Sequence, residues 1–151
     1  WVGPPQVRDG DRLPVGRPTA RPQPLDVPAP ARRGPLRVTP GPRDDWFRPE
    51  AWQTLSRSAY AVTTESNRIG LRLDGPELVR SRTGELPSEG MVLGAVQVPP
   101  DGRPVVFLAD HPPTGGYPVI GVVRTEDLGQ CAQLRPGDEV RFTPDRAAAR
   151  R

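Results

Sequence analysis

The chain has 151 residues, a hydrophobic fraction of 34% and a formal net charge of +3, which together predict one domain of ordinary size. All 21 basic residues are arginine, which excludes a Schiff-base lysine, a P-loop lysine and a lysine general base within this chain. The arginines are scattered among 18 acidic residues without the clustered basic face of a nucleic-acid-binding protein, and no stretch approaches the ~20 apolar residues of a membrane span.

Proline divides the chain into two parts, because 11 of the 22 prolines lie between Pro4 and Pro42. Within residues 1–16, Leu13 and Val15 alternate with polar positions and predict one short strand, which we interpret as the end of a preceding barrel half. Residues 17–35 have the composition of an extended, polyproline-like linker. The core is therefore expected from about the last 110 residues.

From Leu36 onward, short apolar runs alternate with turn residues, which is typical of an antiparallel barrel or sandwich. A proline-rich turn at 99–102 joins two of the runs. The seven predicted strands are Leu36–Val38, Tyr60–Thr63, Gly70–Leu73, Gly94–Val98, Val105–Ala109, Val119–Val123 and Glu139–Phe142.

Two short helices complete the predicted elements. The first carries Trp46, Trp52 and Leu55, has Pro49 near its first turn, and takes a cap from Asp44 or Asp45. The second begins with Thr125 as its cap and extends to about residue 130. The predicted domain spans residues 36–143, and residues 144–151 are expected to form a disordered, arginine-rich tail.

The single cysteine, Cys131, excludes an internal disulfide. Its apolar neighbours Leu128, Ala132 and Leu134 predict a buried, inert thiol rather than a metal ligand. No secretory signal is visible, so we expect a cytoplasmic protein. The chain starts at Trp1 without a methionine, which is compatible with a fragment.

The segment at 109–121 is the strongest candidate for a site. Its prolines and glycines shape a loop between two strands, and this loop carries Asp110, Thr114, Tyr117 and His111, the only histidine of the chain. Because histidine is the side chain that exchanges protons near neutral pH, His111 is the candidate proton carrier. The alternative is a tight connection whose Tyr117 and Thr114 only close one end of a barrel.

Two further positions supply polar groups. Asn67 and Arg68 precede a glycine and a strand, where they can bind a carboxylate or phosphate. In the alternative, Asn67 satisfies its own backbone and Arg68 pairs with Glu65. Gln97 lies within an apolar strand and must be satisfied either by solvent at an edge or in a pocket. We expect the 109–121 segment, the Asn67–Arg68 loop and Gln97 to meet at one mouth, meaning the opening of a single pocket.

Four blocks of the sequence occur in an order that resembles a known family. They are SNRIGLRLDGPEL at 66–78, SEGMVLGAVQVPPDGRPVVFLAD at 88–110, TGGYPVIGVV at 114–123 and AQLRPGDEVRF at 132–142. The resemblance is to the carboxyltransferase-like family known as allophanate hydrolase subunit 2, the C subunit of 5-oxoprolinase, or KipA-type biotin-dependent carboxyltransferase-like proteins. Members are about twice as long as this chain, so the resemblance implies a C-terminal portion.

The resemblance implies a mainly β, cyclophilin-like barrel portion with two short helices. It also implies a cytoplasmic subunit that pairs with a sister subunit and acts with it on a small amide or lactam at the expense of ATP. No cofactor is assigned to this chain itself; the family implies ATP, and biotin in its carboxylase branch. No metal, nucleic acid or membrane is expected.

On this interpretation each candidate residue has a role. Asn67, Arg68 and Arg72 bind an anionic group, Gln97 and Thr114 hydrogen-bond an amide or carboxylate, and Tyr117 closes the pocket. His111 is the catalytic candidate, and the remaining substrate-binding candidates are Asp110, Gly115 and Gly116. The competing interpretations are a non-catalytic module that regulates a partner, of the kinase-inhibitor-antagonist type, and a remnant that folds poorly.

Overall fold

The computed structural model of the chain describes residues 5–17, 19 and 34–145. Residues 5–17 contain a turn but no strand, so the strand predicted around Leu13 and Val15 is wrong. Both side chains are exposed, and a strand without a neighbour to pair with leaves its backbone groups unsatisfied. Most of the predicted linker and residues 146–151 of the predicted tail lie outside the described residues.

Within the part of the chain that the structure describes, nine strands and two helices follow in chain order. They are β1 (Leu36–Pro40), a 3-10 turn (Asp44–Trp46), α1 (Pro49–Arg57), β2 (Ala59–Val62), β3 (Gly70–Asp74), β4 (Glu89–Gly90), β5 (Ala95–Gln97), β6 (Val105–Phe107), β7 (Thr114–Gly115), β8 (Val119–Val123), α2 (Thr125–Cys131) and β9 (Glu139–Pro144). All seven predicted strands form, with ends shifted by at most two residues. The pair β4–β7, a separate two-stranded sheet, was not predicted.

Seven of the strands close into a barrel in the order β1–β8–β5–β6–β3–β2–β9. This confirms the predicted mainly β barrel. Its all-antiparallel arrangement is wrong at one seam, because β1 and β9 run parallel, with Leu36 opposite Phe142 and Val38 opposite Pro144. These strands come from opposite ends of the domain, so no hairpin dictates their relative direction.

Both helices contribute to the barrel's interior cluster of buried side chains. α1 supplies Ala51 and Leu55, and α2 supplies Leu128 and Cys131. Trp46 and Trp52 are partly buried against the same cluster.

A second apolar cluster lies on the outer face of β5, β6 and β8. Val96 and Val106 belong to the interior cluster, whereas Ala95, Val105 and Phe107 belong to the second one. Because side chains alternate across a strand, the second cluster occupies the opposite face of the same barrel wall. It also contains Met91 and Val119, so these strands are buried on both faces.

The predicted helix caps are wrong, although the helices are confirmed. Arg48 precedes α1 and Arg124 precedes α2, both in extended conformation and without a side-chain cap. Asp44 and Asp45 lie in the 3-10 turn instead, and Thr125 is already the first helical residue. A capping side chain must lie one position before the helix, and here that position is an arginine.

The predicted turn between β5 and β6 is confirmed. The Gly102 N–H donates to the Pro99 carbonyl at 3.0 Å, and Gly102 has a φ of 73°. A positive φ of this size favours glycine, which explains its place in the turn.

Candidate functional site

A cavity of about 530 Å³ opens between α2, the loop before β3 and the end of β6. Its wall is mainly apolar. Its polar groups come from the loop before β3 and from Asp110, which follows β6. The lining residues are Ser66, Asn67, Arg68, Leu71, Leu93, Leu108, Ala109, Asp110, Leu128, Gly129, Cys131, Ala132, Leu134 and Pro136. An apolar concavity with a few converging polar groups is the usual form of a small-molecule site.

The polar rim of the cavity is organised around one ion pair. Arg68 Nη2 lies 3.1 Å from Asp110 Oδ2, and the Asp110 N–H donates to the Arg68 carbonyl at 3.1 Å. Arg68 thus pairs with Asp110, which the β3–β6 ladder brings next to it, whereas the alternative named the nearby Glu65. The pair is half-exposed, so a ligand can reach both charged groups.

The loop before β3 is held by its own side chains. Asn67 Oδ1 accepts the Ile69 N–H at 2.8 Å, so Asn67 makes the local backbone contact given as the alternative to anion binding. Ser66 Oγ accepts the Arg72 N–H at 3.0 Å and donates to the Arg72 carbonyl at 3.2 Å. Hydrogen bonds within the loop therefore hold this part of the rim in place.

Cys131 lies in the apolar wall and is 1% exposed. Burial, and secondarily the charge of Asp127, raises the pKa of its thiol to about 12. The predicted burial of Cys131 is confirmed, and a thiol with so high a pKa has almost no thiolate at neutral pH.

Gln97 and the loop after β6 form a second group on the outer face of the barrel. Gln97 is 7% exposed, and its Nε2 donates to the Tyr117 carbonyl at 3.3 Å. A Cβ on Gly115 would lie 2.8 Å from this nitrogen and 3.2 Å from Met91, so the loop lies directly on the Gln97 amide. The sequence left the environment of Gln97 open; the structure places it under a loop rather than in the cavity.

His111 stacks on Phe107, with ring centroids 5.8 Å apart and an interplanar angle of 13°. Its Nδ1 lies 2.8 Å from the Pro112 carbonyl oxygen. Since that oxygen only accepts, the contact favours a proton on Nδ1 and leaves Nε2 as the basic nitrogen. Asp110 does not orient the ring, because its carboxylate faces Arg68.

Three other predicted residues lie apart from the cavity lining. Arg72 is exposed on β3, Thr114 is exposed on β7 opposite Gly90, and the Gly116 carbonyl accepts the Leu86 N–H at 3.2 Å. The prediction of one mouth is therefore wrong. The structure brings Asn67, Arg68 and Asp110 together, and it places Gln97, Gly115 and Tyr117 in a separate group, because the β4–β7 sheet holds the latter against the outer face.

Two contacts made by arginine side chains were not predicted from the sequence. Arg80 lies over the Tyr117 ring, 5.7 Å from its centroid, and donates to the Val98 carbonyl; its burial lowers the pKa of the guanidinium. Arg37 and Asp127 join β1 to α2. Among 21 arginines, nothing in the sequence distinguishes Arg80 or Arg37 from a surface residue.

Within the described ranges, no group of three or more histidine, cysteine, aspartate or glutamate side chains is arranged to hold a metal ion. In the same residues, no helix has the length and apolar character needed to cross a membrane.

Comparison with known proteins identifies the family. A sequence profile of the carboxyltransferase domain, subdomain A and B, matches residues 2–144. The chain is 36% identical over 139 residues to the C subunit of 5-oxoprolinase from Escherichia coli, a match that covers 90% of this chain and 44% of that protein. It is 36% identical over 118 residues to urea amidolyase of Saccharomyces cerevisiae, covering 71% of this chain and 6% of that protein.

The chain is also similar to solved structures. The crystal structure of TTHA0988 superposes with a TM-score of 0.69 at 40% identity, covering 82% of this chain and 24% of that chain. The chain thus spans less than half the length of the relatives it matches. The matched profile and the shared barrel show that the chain belongs to the carboxyltransferase domain family, subdomain A and B.

Proposed function

We propose that this chain is part of the carboxyltransferase-like subunit of an ATP-dependent 5-oxoprolinase or allophanate-hydrolase-type complex in the cytoplasm, acting on a small amide or lactam. The supporting observation is the cavity, whose apolar wall fits a small ring or acyl chain and whose Arg68–Asp110 rim fits a carboxylate and an amide N–H. The two relatives that are named as 5-oxoprolinase subunits supply the substrate class.

In this proposal Arg68 binds the carboxylate of the substrate and Asp110 accepts its amide hydrogen. An arginine presents several donors in a fixed plane, which suits a carboxylate. His111, beside Asp110 in the chain, moves the proton through its Nε2. Asn67 contributes through its side-chain amide at the rim, and Tyr117 and Gln97 support the neighbouring loop.

The cofactors implied by the family fit this cavity differently. A triphosphate does not fit, because the described lining contains a single arginine whose charge is already balanced by Asp110. We therefore propose that ATP is bound elsewhere in the complex. The bicyclic head of biotin fits the apolar wall formed by Leu71, Leu108 and Leu128.

The test is 5-oxoproline-dependent ATP turnover by the full protein assembled with its sister subunit. Arg68→Ala should lower kcat/KM by about tenfold or more, because the carboxylate loses its cation. His111→Ala should lower kcat on the order of 100-fold. The control is Arg141→Ala, which removes an equally exposed ion pair, with Glu139, on β9 and outside the cavity. Full activity of both the Arg68→Ala and the His111→Ala variants would contradict the proposal.

A regulatory module that binds the sister subunit without catalysis is the second candidate. The apolar side chains of Ile69, Val92 and Leu93 are exposed by 44%, 54% and 42%, as a contact surface requires. Val92 lies outside the cavity lining, so Val92→Asp should weaken association without altering the cavity. Association that depends on Val92, together with no 5-oxoproline-dependent turnover in any variant, would favour this candidate.

A further inference from the structure

One wall of the cavity is a helix with little stability of its own. α2 has seven residues and no side-chain cap, and its residues Leu128, Gly129 and Cys131 line the cavity. Isolated helices of this length are not stable in water, so the position of α2 must come from contacts with the barrel. The strongest of these contacts lies on the side of α2 that faces β1.

That contact is the ion pair between Arg37 of β1 and Asp127 of α2. The Asp127 side chain is 1% exposed, and its carboxylate accepts three hydrogen bonds from Arg37: from the backbone N–H at 2.9 Å, from Nε at 2.8 Å and from Nη2 at 2.7 Å. A bidentate arginine–carboxylate contact fixes both distance and angle. Removing Arg37 would take the bidentate partner from a carboxylate that is 1% exposed, which is costly for a buried charge.

The ion pair is joined directly to the cavity wall. Cys131 Sγ lies 3.9 Å from the Asp127 carbonyl oxygen, one helical turn away, and Leu128 follows Asp127 in the chain. A displacement of Asp127 therefore moves two lining residues together. Arg37 and Asp127 do not line the cavity themselves.

We propose that Arg37 and Asp127 are the positioning pair of the cavity: they hold α2 against β1 and thereby set the width of the cavity and seal Cys131 from solvent. The part that concerns the cavity wall is independent of any activity. The part that concerns substrate affinity rests on the proposed function, and the two are tested separately.

The first experiment uses Cys131, the only cysteine of the chain, as the reporter. The rate of its reaction with a thiol reagent under native conditions measures how often α2 leaves the wall. Asp127→Asn should raise this rate by about tenfold or more, because the neutral amide binds Arg37 less well. If Asp127→Asn fails to fold, Arg37→Lys keeps the charge, loses the bidentate contact and should give a smaller increase.

Two controls separate a displaced helix from general destabilisation. Glu126→Gln changes the adjacent carboxylate, which is 61% exposed and contacts Arg37 at 3.7 Å, and it should leave the rate unchanged. Val140→Ala destabilises the interior on β9, outside the cavity lining, and at an equal loss of melting temperature it should not expose Cys131. Thiol rates that follow melting temperature in every variant would overturn the proposal.

The second experiment measures the affinity for substrate in the assembled complex. Arg37→Lys should raise KM for 5-oxoproline several-fold and change kcat less, since a wider cavity weakens binding without removing a reacting group. A faster thiol reaction with unchanged KM would keep the positioning role and overturn the assignment of the cavity as the substrate site.

Discussion

Gln97 illustrates how far a single residue can be interpreted from sequence. An amide within an apolar strand has to be satisfied, and this much was predictable. Its partner is the Tyr117 carbonyl, 20 residues further along, and its other neighbours are Gly115 and Met91. Only the fold brings these positions together, so the sequence could establish the need for a partner but not the partner.

The same limit applies to the arginines and to Asn67. Asn67 bonds a backbone group two residues away, and such local contacts follow from residue type. Arg68 meets Asp110 across 42 positions, and Arg37 meets Asp127 across 90. Long side chains of one type reach many places, so their partners depend on strand register, which residue type does not encode.

The close approach at Gly115 gives a prediction at the residue scale. Gly115→Ala places a methyl group 2.8 Å from Gln97 Nε2 and 3.2 Å from Met91 Cγ, and it should destabilise the fold by about 1 kcal/mol, because these two buried side chains must shift. Chemical denaturation measures this change. Gly90→Ala is the matched control, because it lies in the same two-stranded sheet and its Cβ would meet nothing within 4 Å. Equal stabilities of the two variants would contradict the packing described for Gln97.

Among the elements, the barrel strands were predictable and the small sheet was not. β8 has the predicted bounds, Val119–Val123, because five consecutive apolar or small residues lie between Pro118, the last residue of a proline- and glycine-rich loop, and the polar start of α2. β4 and β7 have two residues each and include glycine, so they carry no periodic signal. They form next to the second apolar cluster, which contains Met91, the residue after β4. The cause is therefore tertiary packing and not local sequence.

The small sheet is attached to the barrel by Arg43 and Glu89. Arg43 Nε lies 3.0 Å from both carboxylate oxygens of Glu89 on β4, and the hydrogen bond to Arg43 lowers the pKa of Glu89 below its usual 4.5. A carboxylate with a lowered pKa in the folded state stabilises the fold above the unfolded-state value. This contribution is lost as the pH falls through the lower folded-state value.

We therefore expect Glu89→Gln to make the melting temperature depend less steeply on pH in the acid range. Melting temperatures measured from about pH 7 to about pH 3 should fall less steeply below pH 4.5 in this variant than in the unaltered chain. Arg43→Gln should flatten the curve in the same way, and the double variant should show no additional change. Parallel curves for all four proteins would mean that the contact does not couple to folding.

At the scale of the whole molecule, the number of strands predicted a barrel or a sandwich but not how a barrel closes. The seam between β1 and β9 joins residues more than 100 positions apart, and neither strand shows from its own sequence that it will run parallel to the other. The convergence of polar loops was predicted at one mouth for the same reason: the sequence places loops at strand ends but does not state which end of the barrel each loop occupies. The structure separates them into the cavity and the outer group.

The closed barrel predicts that the 151-residue chain folds cooperatively. Far-ultraviolet circular dichroism, which follows the strands, and the fluorescence of Trp46 and Trp52, which are packed on the interior cluster, should report one coincident thermal transition. Separate transitions, or none, would support the alternative of a poorly folding remnant.

The two sides of this barrel differ in how suitable they are for attaching a label or a surface anchor. β5, β6 and β8 are buried on both faces, whereas β2 and β9 expose Ala61, Glu139 and Arg141 along one outer surface. A fluorophore, spin label or surface-immobilisation handle attached at Ala61 or Arg141 would project into water far from apolar packing. That side of the barrel is accordingly the natural anchoring point for single-molecule or biosensor measurements.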